Sequence, residues 1–327
     1  MTHLPQPNLS YSTGAPSDAA HHPAPRNVQL PFVSVIVPVW NDAKRLNECL
    51  GALDAQTYPS FEVVVIDNGS ARPVGDVIAR HSRARLVHEA RPGSYAARNA
   101  GMAHARGEVF AFTDADCIPG PEWIEKGQAR LAQGGERSIV AGRIEIFPRV
   151  RMRANAVEQY EGLFALAQCE FVRRYKFGAT ANLFAPREAF DRAGPFLAEL
   201  KSGGDLEWGR RAAAFGYVVE YAEEVCIRHP ARFSILQLYS KIVRVTDGLH
   251  DLKRIKGRGY VEFYRGFWAE LLPPIRAITR TLREPSLRLR RDRLKVCAVV
   301  MFVRYVGALE NARLRFPKLW KRQTTAR

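Results

Sequence analysis

The sequence is poor in the features that mark several large classes of protein. Its five cysteines, Cys49, Cys117, Cys169, Cys226 and Cys297, stand far apart with no C-x-x-C pair. Neither a zinc site nor a disulfide framework is therefore expected, and a reducing cytosol fits. No uninterrupted apolar run reaches the ~18 residues needed to span a bilayer, and the best candidate, Val296 to Val303, is bracketed by Lys295 and Arg304. The N-terminus has no basic segment followed by an apolar stretch, so no secretory signal is expected. With 24 Gly and 20 Pro in 327 residues, collagen-like and fully disordered readings fall away.

Acidic residues are also short, in one place. The whole chain carries 49 Lys and Arg against 33 Asp and Glu, and residues 230–327 alone hold 23 basic and 7 acidic residues. The first 229 residues are balanced, so the excess of +16 lies entirely in the last third. What remains is ordinary for a globular protein: 46% hydrophobic and 10% aromatic residues, enough for a sizeable core in one large domain or two smaller ones.

Residues 1–30 mix Pro, Ser, Ala and His without apolar periodicity and are expected to be a disordered leader. From Phe32 short apolar runs alternate with helical patterns: FVSVIVP (32–38), a helix near 42–55, FEVVVID (61–67), a helix near 74–82, RLVHE (85–89), a helix near 94–105 and EVFAFTD (108–114). Continuous Val, Ile and Phe runs separated by amphipathic segments predict an α/β fold, with a mostly parallel sheet and helices on both faces. Further on, the pattern predicts a strand over 138–147, a long helix over 152–170, a short helix over 187–193, and strands near 217–221 and 225–228. In such sheets ligands bind at the carboxyl ends of strands. Those ends carry Pro38-Val39-Trp40-Asn41-Asp42, Asp67-Asn68-Gly69-Ser70 and Asp114-Ala115-Asp116.

In an extended segment residues i and i+2 point the same way, so Asp114 and Asp116 can face one spot. Two hard oxygen donors there suit Mg²⁺ or Mn²⁺ bridging to phosphate oxygens, whereas a solvated polar turn is the plainer reading of the same three residues. The order VSVIVPVWN, VVVIDNGS and GSYAARNAGMAHARGEVFAFTDAD resembles the family 2 glycosyltransferases, whose pattern runs from P-x-x-N through D-D-G-S and A-R-N-x-G to D-x-D. The resemblance covers roughly residues 32–229 and implies the GT-A fold, a nucleoside-diphosphate-sugar donor (UDP-, GDP- or dTDP-linked), a divalent metal and, usually, inversion at the anomeric carbon.

Carried over by position, the resemblance puts Pro38 and Asn41 in the nucleotide pocket, Asp67 on the base or ribose, and Arg98 and Asn99 beneath the donor. Asp114 would contact the nucleotide sugar and Asp116 would hold the metal, with His229 resembling the His that completes the metal shell in some members. Asn68 departs from the family's second Asp and loses its charge. Gly204-Asp205 replaces a Glu-Asp pair, and Asp205 aligns with the carboxylate that takes the acceptor's proton. Ser202-x-x-Asp205 also reads as a helix N-terminal cap, and Glu207 is the alternative carboxylate. Trp208, one turn on, would stack on an acceptor sugar or pack in the core.

A Q-x-x-R-W motif, carried by processive synthases of the family, is absent, so transfer of one or a few sugars is expected. Residues 232–327 interleave Arg and Lys with apolar and aromatic residues at helical spacing, suiting helices at an anionic membrane surface or a helical subdomain packed on the core. No nucleic-acid motif accompanies the charge, so no specific nucleic-acid partner is expected. The resulting expectation is a cytoplasmic enzyme, peripheral on the inner face of the cell membrane, acting on a saccharide or lipid-linked acceptor in cell-surface polysaccharide or glycolipid assembly. The alternatives are a catalytically decayed nucleotide-binding scaffold and, less favoured, a sugar nucleotidyltransferase. The latter class uses a Gly-rich loop where this chain has Pro38-Val39-Trp40-Asn41.

Overall fold

Alternate residues of the first strand feed two different cores. In β1 (Val33–Val39), Val33, Val35 and Val37 join one buried cluster and Ile36 the other; in β2 (Phe61–Asp67), Phe61, Val63 and Val65 divide from Val64 and Ile66 in the same way. A strand buried on both faces has no polar side, which is why these segments read as continuous apolar runs. The computed structural model describes residues 30–150, 153–257 and 271–317. The expected leader therefore lies, but for Leu30, outside the described residues, as do residues 258–270 of the basic region.

Among the described residues an eight-stranded sheet runs in the order β3-β2-β1-β4-β7-β6-β8-β5. The remaining strands are β3 (Ala84–His88), β4 (Val109–Thr113), β5 (Ile118–Pro119), β6 (Ser138–Phe147), β7 (Asn182–Pro186) and β8 (Val218–Pro230). β1 pairs parallel with β2 and β4, β2 with β3, and β6 with β8, whereas β7 runs antiparallel between β4 and β6 and β5 antiparallel to β8. The parallel half thus places the ends of β1, β2 and β4 along one edge, where all three polar sequences fall.

Two local features position the site. α3 (Ser94–His104) lies so close to the sheet that a Cβ on Gly101 would meet Ile66 at 2.6 Å and Ile36 at 2.8 Å. Only glycine permits that approach, which sets Tyr95, Arg98 and Asn99, within the two turns before it, over the strand ends. The second is a bulge: between Gly142 and Arg143 the pairing of β6 jumps from Ala222 to Cys226. The extra β8 residues let one strand span both expected pieces, 217–221 and 225–228, and carry on to His229.

The expected helix over 152–170 is broken instead into α5 (Ala156–Phe164) and α6 (Gln168–Tyr175), with Leu166 between them at φ 48°. Asn155 caps α5 through a full capping box with Glu158, a start signal hidden inside the expected helix. The other helices are α1 (Ala43–Asp54), α2 (Gly75–Ile78), α4 (Trp123–Gly134), α7 (Arg187–Ala193), α8 (Gly204–Ala214), α9 (Ile235–Lys256), α10 (Ile275–Arg283) and α11 (Arg290–Arg315). α5, α9 and α11 share a small third core of Val157, Leu238, Ile242 and Val299. The buried Glu161 of α5 is paired with Arg232 at 2.8 Å and Lys241 at 2.7 Å. No helix among the described residues is long and apolar enough to cross a membrane.

Candidate active site

The loops after β1 and β2 are stitched to each other before any ligand is considered. Asn41 sits at φ 54°, its N–H donates to Ser70 Oγ at 2.9 Å, and its Oδ1 accepts from the Ala71 N–H at 2.8 Å. Asp67, buried at the end of β2, accepts from the Ser70 N–H at 2.9 Å through one oxygen, while its other oxygen lies 3.9 Å from His88 Nδ1. Pro38 and Asp67 thus stand on neighbouring strands at the same edge, with Trp40 exposed beside them.

Asn68 faces the other way. Its Nδ2 donates to the carbonyls of Glu89 at 2.9 Å and Arg91 at 2.7 Å, and its Oδ1 accepts from the Gly93 N–H at 2.8 Å. The amide is spent on the loop that leads into α3. Asn99 is likewise committed: its side chain bonds both the N–H and the carbonyl of Phe196, at 3.0 and 2.8 Å. Both amides thus hold backbone beside the expected donor site, Asn68 through three bonds and Asn99 through two.

Arg98 is brought where expected. Nearly buried, it forms an ion pair with Asp114 and donates weakly to the Ser94 carbonyl at 3.4 Å, while its Nε has no partner among the described residues.

Asp114, Asp116, Cys117 and His229 bring one ligating atom each to within 4.8 Å of one another. His229 Nδ1 lies 2.8 Å from the Pro230 carbonyl, which can only accept, and Nε2 faces Asp116 at 3.7 Å. Burial pushes the Asp116 carboxyl above its ordinary range; His229 opposes the shift and Asp114 adds to it. Burial also holds the Cys117 thiol well above its usual value. The two carboxylates at this sheet edge suit Mn²⁺ or Mg²⁺, with the His229 imidazole beside them.

The second carboxylate centre is Asp205, in the first turn of α8. The residue capping that helix is Gly203 at φ 82°, with no side-chain cap bond, so the expected Ser202 capping pattern does not form. Asp205 instead accepts from the Tyr95 hydroxyl at 3.0 Å. Burial raises its pKa, and the Tyr95 bond and the Arg98 charge act against the rise. Tyr95 was not singled out from the sequence, although its place one turn before Arg98, at i and i+3 of a helix, was a signal that both could face one spot.

Two expectations fall on the far side of α8. Glu207 is fully buried and pairs with Arg211 at 2.9 Å and Lys256 at 3.0 Å. Trp208, 1% exposed, stacks on Phe190 at 4.1 Å and donates to the Gly194 carbonyl at 3.1 Å. Neither reaches the cleft, so the alternative base and the acceptor-stacking role are corrected to structural ones.

The sequence profile of Glycosyl transferase family 2 matches residues 34–194. The chain is 37% identical over 227 residues to the glycosyltransferase AglE of Haloferax volcanii, covering 67% of this chain and 73% of that protein. It is 33% identical over 117 residues to the putative glycosyltransferase EpsH of Bacillus subtilis, covering 35% of this chain and 33% of that one. The mannosyltransferase PcManGT of Pyrobaculum calidifontis, solved with GDP-Man and Mn²⁺, superposes with a TM-score of 0.59 at 19% identity, over 87% of this chain and 88% of that one. The chain belongs to glycosyl transferase family 2, is a glycosyltransferase, and has the GT-A fold.

Proposed function

We propose that this glycosyltransferase moves a sugar from a nucleoside-diphosphate donor, UDP-, GDP- or dTDP-linked, to a hydroxyl of a saccharide or lipid-linked acceptor by direct displacement with inversion. The observation that carries the reading is on α3: Tyr95 holds Asp205 and Arg98, one turn on, holds Asp114. One helix thus sets the spacing between a buried carboxylate that can take a proton and the carboxylate beside the donor's sugar.

In this reading Asp205 accepts the acceptor hydroxyl's proton, and the Tyr95 O–H fixes the orientation of its carboxylate. Asp67 and the Asn41 loop hold the nucleoside, and Arg98 fixes Asp114 beside the donor through their ion pair. Asp116 and His229, with Asp114, would hold Mn²⁺ or Mg²⁺, and a divalent cation bound there offsets charge on the leaving diphosphate. No covalent enzyme intermediate is needed. Transfer of one or a few sugars, in surface polysaccharide or glycolipid assembly at the inner face of the membrane, is the role proposed with it.

The test is thermal unfolding with UDP, GDP, dTDP, CMP and ADP, each with and without Mn²⁺. A ligand at a hundred times its dissociation constant adds about 2.7 kcal/mol, which for a chain of this size raises the melting temperature by several degrees. The expected result is a rise that needs one nucleoside diphosphate together with Mn²⁺ and disappears in Asp116→Ala. No rise with any nucleotide would overturn the donor reading.

A further inference from the structure

The cleft beside Asp116 and His229, of about 490 Å³, has a basic wall made mostly of residues outside the motifs assigned to the donor. Four cations line it: Arg45 from α1, and Arg232, Lys241 and Arg244 from the chain after β8. Arg45 is balanced by Asp42 at 3.0 Å. Arg232 and Lys241 share the single carboxylate of Glu161, which leaves one positive charge over, and no carboxylate lies within ion-pair distance of Arg244 among the described residues. Before any metal is added, this wall carries about two uncompensated positive charges.

The wall is rigid and well placed. Glu161 is fully buried, and its two short bonds fix the heads of Arg232 and Lys241; burial lowers the Lys241 pKa, the mark of an ammonium short of solvent. α9 packs tightly on the loop that precedes Asp205, where a Cβ on Gly248 would meet Ser202 at 2.6 Å. Arg244, one turn before Gly248, donates to the Lys201 carbonyl at 3.5 Å at the edge of the same loop. Arg244 therefore ties the wall to the loop before Asp205, while Asp116 and His229 line the same cleft. Phe233 and Leu236 also line the cleft, the latter 77% exposed.

We infer that this wall is an acceptor subsite for a phosphate ester: Arg232, Lys241 and Arg244 bind the phosphate of an acceptor that carries an apolar group against Phe233 and Leu236. The inference rests on the glycosyltransferase reading of Asp205 and the metal cluster. Charge-assisted bonds from guanidinium and ammonium groups suit phosphate oxygens, and an anion held there would orient its adjoining hydroxyl toward the base.

Calorimetric titration of the full chain tests it, with the nucleoside diphosphate chosen by thermal unfolding present at saturation with Mg²⁺, so that the donor's phosphate positions are filled. The probes are dodecyl phosphate below its micelle concentration, inorganic phosphate, and uncharged dodecyl maltoside. Dodecyl phosphate should bind in the presence of the nucleotide, roughly tenfold more weakly to Arg244→Gln, with recovery in Arg244→Lys. Nucleotide affinity should be unchanged in both variants. Arg244 is the residue substituted because removing Arg232 or Lys241 would strand the buried Glu161.

Dodecyl phosphate binding more tightly than inorganic phosphate supports the inference in full; equal binding of both, still dependent on Arg244, keeps the phosphate site and overturns the apolar contact with Phe233 and Leu236. Displacement of dodecyl phosphate by the nucleotide, weaker nucleotide binding in Arg244→Gln, or dodecyl maltoside binding as well as the phosphate would overturn the inference. Should no nucleotide bind, the donor reading fails by itself, and the same titrations on the unliganded protein still decide the phosphate site.

Discussion

At the scale of single residues, the site turns on how Asp205 is held. Its pKa is raised by burial and drawn back down by the Tyr95 hydroxyl and Arg98. A base must be ionised, so kcat/KM should fall on the acid side through a pH above the usual carboxylate value of about 4. Tyr95→Phe removes the bond that favours the charged form, and should move that acid limb to higher pH while leaving nucleotide affinity intact. Asp205→Asn should lower kcat by about 10²- to 10⁴-fold at unchanged donor binding. An unmoved limb in Tyr95→Phe, or turnover retained in Asp205→Asn, would remove the base assignment. Asn68, where the family's pattern has Asp, illustrates the opposite case. Two of its three bonds are donated to carbonyls, which a carboxylate cannot do, so the departure from the pattern fits a structural demand and offers no support for a decayed site.

At the scale of elements, the strands were legible because burial on both faces leaves continuous apolar runs, and the polar motifs were legible because they sit where those runs stop. What escaped was governed by tertiary contacts. β7 (Asn182–Pro186) follows a segment of small residues with no strand-like period of its own; Asn182 is held by the Trp123 indole at 2.9 Å and by the Arg143 and Val225 carbonyls at 2.8 and 2.9 Å. The positions of Glu207 and Trp208 depend on which face of α8 meets α7, which spacing along the sequence alone left open.

The same scale governs the far edge of the sheet. Glu62 on β2 accepts from Ser34 of β1 at 2.8 Å, Arg85 of β3 at 3.0 Å and the Arg106 N–H at 2.7 Å. Burial pushes its carboxyl up, but these bonds outweigh it and bring the pKa down to about 2. With its folded pKa below the unfolded one, Glu62 contributes stability that is present above the unfolded pKa of about 4.3. That contribution is lost as pH falls toward 2. Glu62→Gln should cost about 2 kcal/mol at neutral pH in chemical denaturation, with the difference from the parent closing in acid. A difference independent of pH would show that the charge is not what these bonds hold.

At the scale of the whole molecule, the basic region packs on α5 of the catalytic domain, and that decides how the proposed membrane contact must be tested. α9 and α11 share the third core with α5. Arg313 of α11 pairs with Asp247 of α9 at 2.8 Å, and Tyr239 donates to Glu310 at 3.1 Å. Removing residues 232–327 would expose that core and strip Glu161 of both its cations, so a truncated chain would report on folding as much as on binding. Point changes avoid this. Leu272 is 62% and Ile275 69% exposed, and Leu282, seven residues beyond Ile275, repeats the same helical face of α10 beside Arg276, Arg280 and Arg283. Exposed apolar residues flanked by arginines suit insertion between anionic headgroups. The full chain should sediment with vesicles containing phosphatidylglycerol, less so as salt is raised. The pair Leu272→Asp and Ile275→Asp should release it at an unchanged melting temperature. Vesicle binding that survives both substitutions would move the contact away from α10, and binding to neutral vesicles as strong as to anionic ones would remove the electrostatic part of the proposal.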